Sequence, residues 1–348
     1  MPNRRWALTL LLLAVVLVMS NAGASGAGAS TAGSAGGATA STGRLTRSAV
    51  AGFSAYEWRP IDTTPLAELT AGLAAFRAMG GTSIALDISA VVPLTDVKDP
   101  TARSTRRIAF DTKVSRYLAA ARAAGLSVEA LAGDPAWINP SRRTVTQAII
   151  SYAAQFNART AGPGFTGVQF DLEPWATKAW ATEATTLTTQ WLATVASIAS
   201  HQTSFPAAMR LPITVVVPFW LDGQASPTSL RFAGVTSSPV GHIVRLLDNR
   251  SGRLNAISVM AYRDRVAGPN GSRALSATEV ALTDSTGGRV RTIIAQEVGD
   301  VDPAGITFWQ EGRVAMLAAL RDLRAGYAAR PSFGGFAVND LRSLLLLS

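Results

Sequence analysis

From residue 44 onward, short runs rich in Val, Ile and Ala alternate with longer amphipathic stretches. The strand-like runs are 49–56, 82–88, 127–132, 167–172, 212–218, 256–261, 290–296 and 334–338. Several are almost continuously apolar, as strands covered on both faces are. The spacing predicts helices over 65–79, 112–124, 142–161, 176–201 and 312–329, with weaker signals over 240–248 and 277–284. The first of these follows Thr63-Thr64 and stops at Gly80-Gly81, so it carries both a start and a stop signal. In the last long one, Val314, Leu317, Leu320 and Leu323 are expected to form the apolar side.

Eight strands alternating with helices point to parallel βαβ units and an α/β fold. The strand count and the length suit a closed (β/α)8 TIM barrel, typically about 250 residues. An open doubly wound sheet is the alternative. It wants a glycine-rich turn after the first strand, where Phe53-Ser54-Ala55-Tyr56-Glu57-Trp58 stands instead. No short internal repeat is evident, so residues 44–348 read as a single barrel with long loops.

The first residues read differently. Arg4 and Arg5 precede the apolar run 7–19, and Ala22-Gly23-Ala24 offers a cleavage site, the layout of a secretory signal peptide over 1–24. The apolar run is shorter than the roughly 20 residues of a spanning helix, so the chain has no stable membrane span unless the signal stays uncleaved as an anchor. Residues 25–43 are almost entirely Gly, Ala, Ser and Thr, a flexible leader. The expected location is outside the cell or associated with its envelope.

Composition narrows the chemistry. There is no cysteine, so neither a disulfide framework nor a lipid-modified Cys after the signal is available. The only histidines are His201 and His242, which leaves no His-rich metal site. No grouping of acids has metal-ligand spacing, and nothing indicates a nucleotide or flavin site, so no metal and no cofactor are expected. The net charge of +9 comes from arginines scattered over helices and loops. Without a compact basic run interleaved with aromatics, nucleic acid is not an expected partner. The charge is compatible with an anionic surface.

In a barrel of this kind the active site lies at the C-terminal ends of the strands, and polar and aromatic residues accumulate there. Strand one ends in Glu57-Trp58, strand two in Asp87, strand three in Asp134 and Trp137. Strand five runs into Phe219-Trp220, strand six into Tyr262 and Asp264, strand seven into Gln296-Glu297 and strand eight into Asn339-Asp340. The sharpest pair is Asp171 and Glu173 on strand four, followed by Pro174 and Trp175. Residues i and i+2 on a strand share a face, so both carboxyls are expected at the barrel mouth. Two acids so close resist double ionisation, and a retained proton is what a general acid needs. The bland alternative is a structural pair tied to a neighbouring Arg or to backbone groups.

The segment Phe165-Thr166-Gly167-Val168-Gln169-Phe170-Asp171-Leu172-Glu173-Pro174 resembles the strand-four motif of family 18 glycoside hydrolases, the chitinases and their relatives. That motif reads aromatic-Asp-Gly-hydrophobic-Asp-hydrophobic-Asp-aromatic-Glu. The resemblance implies that Glu173 is the proton donor and that Asp171 orients a substrate acetamido group. Thr166 and Gln169 replace the other two aspartates. Val259-Met260-Ala261-Tyr262 resembles the family's Met-x-Tyr-Asp segment on strand six, with Arg263 in place of its acid and Asp264 one residue later. Tyr262 would then help to hold the reacting acetamide, and the substrate's own N-acetyl group would attack the anomeric carbon. The family's aromatic floor on strand eight is absent, since Asn339-Asp340 stand there; Trp137, Trp175 and Trp220 are the aromatics offered for that role, or else ordinary core residues.

Two rival readings stand beside this one. Glu173 and Glu297 also resemble the acid/base and nucleophile of retaining β-glycosidases, a covalent route in which the carboxyls stand about 5–5.5 Å apart. That clan usually has Asn before its strand-four Glu, where this chain has Leu172; Glu297 could instead pair with a strand-end arginine such as Arg263. The other reading is a carbohydrate-binding barrel without catalysis. In each case the partner is a glycan, and Glu57, Trp58, Asp87, Asp134, Gln169, Gln296 and Asn339 are expected near it. The sugar, its linkage and the oligomeric state stay open.

Overall fold

A computed structural model describes residues 52–61, 63–222, 227–249 and 251–348. The signal peptide and leader expected over 1–43 lie outside the described residues.

Eight parallel strands close on themselves: β1 (Phe53–Glu57), β2 (Gly81–Asp87), β3 (Ser127–Ala132), β4 (Val168–Phe170), β5 (Ile213–Pro218), β6 (Asn255–Met260), β7 (Val290–Glu297) and β8 (Phe333–Asn339). Their order around the barrel is β1-β8-β7-β6-β5-β4-β3-β2, so each strand neighbours its predecessor in the chain. β5 and β6 are buried along their full length, which is why they read as unbroken apolar runs. The helices of six residues or more are α1 (Leu66–Ala78), α2 (Pro100–Ala123), α3 (Arg143–Arg159), α4 (Trp180–Ser204), α5 (Pro239–Leu247), α6 (Ala277–Asp284), α7 (Gly312–Tyr327) and α8 (Leu341–Leu346). A small antiparallel hairpin, Leu230–Phe232 with Val235–Ser237, stands in the connection after β5. None of the described helices is long and apolar enough to cross a membrane.

The departures from the sequence expectation have local causes. Helix α2 begins twelve residues earlier than 112 because Asp99 accepts a hydrogen bond from the Ala102 amide and Pro100 opens the first turn. Its early turns are largely exposed and so carry no apolar periodicity. Helix α8 was not expected; Asp340 caps it, accepting from the Ser343 amide at 2.7 Å. On α7 the buried face is Met316, Leu320, Leu323 and Tyr327 rather than the one anticipated: Val314 is 77% exposed and Leu317 only half-buried. The observed face drops Val314 and Leu317, adds Met316 and Tyr327 and keeps Leu320 and Leu323, so the two patterns overlap at helical spacing.

The most consequential departure is at β4, which stops at Phe170. The Asp171 amide still donates to Ala132 O at 3.1 Å, and a Cβ at Gly133 would collide with Asp171 O. Gly133 therefore permits the backbone of the next strand to approach at the point where the chain turns. Glu173 then takes a left-handed backbone, φ 43° and ψ 57°, before a single turn over Pro174–Ala176. Simple strand alternation is lost between Asp171 and Glu173, and the turn places the second acid instead.

Candidate active site

Side-chain alternation divides each strand between barrel interior and helix layer. Tyr56 points inward: its hydroxyl accepts from Gln169 Nε2 at 2.7 Å and lies 2.8 Å from Ser258 Oγ, which joins β1, β4 and β6 through the middle of the barrel. Burial, reinforced by Asp171, holds Tyr56 firmly protonated. The same alternation brings Trp58 to the mouth above Tyr56, with the two rings stacked 5.9 Å apart.

Tyr262, just beyond β6, is 5% exposed. Burial raises its hydroxyl well above the ordinary phenol range, and the charges of Glu297, Asp171 and Glu173 push in the same direction. Three acids from β7 and the β4 turn thus converge electrostatically on one phenol, together with Tyr56. Among the described residues the Tyr262 hydroxyl has no hydrogen-bond partner. It is a neutral donor held at the mouth.

Glu297 is bound differently. Its Oε1 accepts from the Val298 and Gly299 amides at 2.9 and 2.6 Å, and its Oε2 from Asn339 Nδ2 at 2.7 Å. Asn339 Oδ1 in turn accepts from the Trp58 indole N–H at 3.0 Å. This relay runs across β7, β8 and β1. Burial pushes the Glu297 carboxyl up to about 7, against the lowering effect of these hydrogen bonds. The alternative pairing of Glu297 with Arg263 does not form; Arg263 donates to Tyr262 O at 2.6 Å and lies over the Phe219 ring.

Several anticipated residues stand elsewhere. Glu57, inward Tyr56's neighbour, faces the helix layer and forms a two-pronged ion pair with Arg59, at 3.0 Å from Nε and 2.7 Å from Nη2. Gln296 is fully buried behind the mouth, donating to Ala261 O and accepting from Ser272 Oγ, so it braces the loop that carries Tyr262. Asp134 accepts from the Ala136 amide and Asp87 from the Ser89 amide, each closing the turn after its strand. Trp137 is buried in the turn Pro135–Ile138. Trp175 and Trp220 belong to an edge-to-face cluster with Trp180 and Trp191 and are 2% and 8% exposed, so neither lines an open rim. Asp264 is half-buried, its amide tied to Gly305 O.

Three interior residues escaped the sequence reading. Tyr56 shares an inward face with Trp58, which is a readable signal. Ser258 gave none, since a small polar residue in an apolar strand is commonplace. Glu129 did: an acid in the middle of an otherwise apolar strand. It lies against Gly167, and burial alone pushes its carboxyl up to about 7.

No protein-family model matches the chain, and no curated protein matches it. Solved structures similar to it include a family 18 chitinase from Pseudoalteromonas aurantia, at 12% identity and a TM-score of 0.49 over 83% of this chain and 93% of that one. The catalytic domain of a β-amylase from Paenibacillus polymyxa is similar at 9% identity and a TM-score of 0.46, over 85% and 94%. A family 18 chitinase from Cycas revoluta aligns at 12% identity and a TM-score of 0.43, over 85% and 96%. Such distant likenesses add nothing to the barrel that the strand order establishes by itself.

Proposed function

We propose that this barrel is an exported glycoside hydrolase acting on a glycan with N-acetylated sugars, in which Glu173 protonates the leaving oxygen. The observation that carries the reading is the Tyr262 hydroxyl, which is buried just beyond β6 with no acceptor among the described residues and is held protonated by burial and by the nearby charges of Glu297, Asp171 and Glu173. A neutral phenol of this kind suits a developing negative charge or a polarised acetamide oxygen. Asp171 orients the acetamide, and Tyr262 donates to it. A left-handed backbone at a non-glycine residue costs about 1–3 kcal/mol, and such outliers cluster at functional positions; Glu173 is one of only two among the described residues. Arg4, Arg5 and the apolar run after them support export.

The two-glutamate alternative fares worse. A nucleophile needs an available anionic oxygen, whereas both Glu297 oxygens already accept hydrogen bonds and a carboxyl titrating near 7 is half protonated at neutral pH. The test compares wild type with Glu173→Gln on chromogenic N-acetylglucosaminides, β-glucosides and β-mannosides. Cleavage of the first class that disappears in the variant supports the reading. Trapping of Glu297 by a fluoro-sugar would replace it with the covalent route. Equal glycan binding by both proteins without any cleavage would leave a binding barrel.

A further inference from the structure

Arg263 is the one buried arginine among the described residues, at 8% exposure. It is also oddly partnered. Arg59, Arg107, Arg289 and Arg330 each face a carboxylate although they are more exposed. Among the described residues no carboxylate lies within ion-pair distance of Arg263. Its guanidinium rests 5.0 Å from the centre of the Phe219 ring, at the end of β5, and its Nη1 donates to the carbonyl of Tyr262. Among the described residues Nε and Nη2 have no acceptor, and neither is sealed from solvent.

Taking a charge out of water without a counter-ion costs several kcal/mol. Burial and the nearby Arg265 both act against the charged form here, with only Asp264 opposing them. Arginine nevertheless stays ionised, so the fold holds a largely buried cation without a carboxylate partner beside the strand-end tyrosine of the site. Stacking on Phe219 fixes the plane of the guanidinium. Two parallel donors in that plane match the paired oxygens of a carboxylate or a sulfate ester.

We propose that Arg263 anchors an anionic substituent, a carboxylate or a sulfate ester, on the glycan that occupies the mouth. This rests on the glycosidase reading of the same mouth and specifies its substrate class: an acidic rather than a neutral polysaccharide. The excess of basic residues over the whole chain favours approach of such a polymer.

Calorimetric titration in a Glu173→Gln background tests this with paired probes: a hyaluronan hexasaccharide against its carboxyl-reduced twin, and a chondroitin sulfate hexasaccharide against its desulfated twin. One pair reads the carboxylate and the other the sulfate. We expect the acidic member of at least one pair to bind about tenfold or more tighter, the scale of a charge-assisted hydrogen-bond pair. Arg263→Gln should abolish that preference and leave the neutral twin's affinity unchanged. Should Arg263→Gln fail to fold, Arg263→Lys carries the test in weaker form: lysine keeps the charge and loses the fork, so the preference should shrink, and an undiminished preference overturns the proposal. Equal binding of both twins, or a preference that survives Arg263→Gln, overturns the proposal. Glu173-dependent cleavage of neutral glycans with no binding of the acidic ones overturns it while the glycosidase reading stands. No glycan bound or cleaved removes both.

Discussion

The two sides of the barrel mouth hold their acids in opposite ways. On the β7–β8–β1 side, Glu297 is pinned by two backbone amides and by Asn339, which is itself held by Trp58. On the β4–β6 side, Glu173 sits on a left-handed turn outside any strand, and the Tyr262 hydroxyl has no acceptor among the described residues. A saturated hydrogen-bond network fixes geometry, whereas a donor without a protein partner is available to a ligand. Under the proposed function, the first side serves as architecture and the second carries the chemistry.

The strongest way to break that assignment is to remove the two glutamates in turn. Glu173→Gln is expected to lower kcat about 10²–10⁴-fold, the usual contribution of a general acid, with the thermal melt unchanged. Glu297→Gln should do the reverse. A glutamine amide would face the Asn339 donor, or force Asn339 to flip away from Trp58, and leaving one buried group unsatisfied costs about 1–3 kcal/mol of stability. Rate measurements and urea titrations on both variants decide it. A Glu297 variant that is fully stable and the less active of the two would exchange the roles of the two sides.

Next in size is Tyr262→Phe. Loss of one preorganised donor to a developing charge typically costs about 10²–10³ in kcat. Because that hydroxyl has no partner among the described residues, its removal should leave the unfolding midpoint nearly unchanged. A large drop in stability with little change in rate would make Tyr262 a core residue.

The pH dependence sharpens the comparison from within the barrel. Glu297 and Glu129 each titrate at about 7 in the folded chain against 4.5 ordinarily, both through burial. Between pH 4.5 and 7 the folded state therefore holds more protons than the unfolded one, and stability falls as pH rises through that window. Their contribution is fully present below 4.5 and lost as pH passes the folded values. Glu129→Gln should flatten half of this slope without touching the mouth, since Glu129 lies against Gly167 at the start of β4. Chemical denaturation at pH 5, 6, 7 and 8 reads the slope. An unchanged slope in the variant would mean that Glu129 stays ionised.

How far the sequence could be read follows the same division. All eight strands were legible because burial on both faces leaves a signal that does not depend on neighbours; β3 spans Ser127–Ala132 as expected. Helices were legible where one face is buried, and the exposed start of α2 was not. The C-terminal ends of the strands were legible as a place, but not the direction of each side chain. Glu57 and Gln296 are polar residues at strand ends, yet they lie on the outward half of the alternation, and only inward Tyr56 and Glu297 reveal that register. The turn at Glu173 depends on the close approach of Gly133 from the adjacent strand, a contact between strands that no run of residues encodes.

The smallest effect probes the far end of the Trp58 relay. Trp58→Phe keeps an aromatic ring beside Tyr56 and deletes the indole N–H that Asn339 accepts at 3.0 Å, together with part of the ring. The loss of one ordinary hydrogen bond predicts about 0.5–1.5 kcal/mol of destabilisation. There should also be a second, more telling consequence. Asn339 lowers the Glu297 carboxyl by donating to it, so a loosened Asn339 should let that carboxyl rise above about 7. Carbon-13 NMR titration of the glutamate carboxyls resolves this shift independently of activity. If the Glu297 titration stays put while stability falls, the three residues are separate contacts. If both move together, the β7–β8–β1 side acts as one connected scaffold.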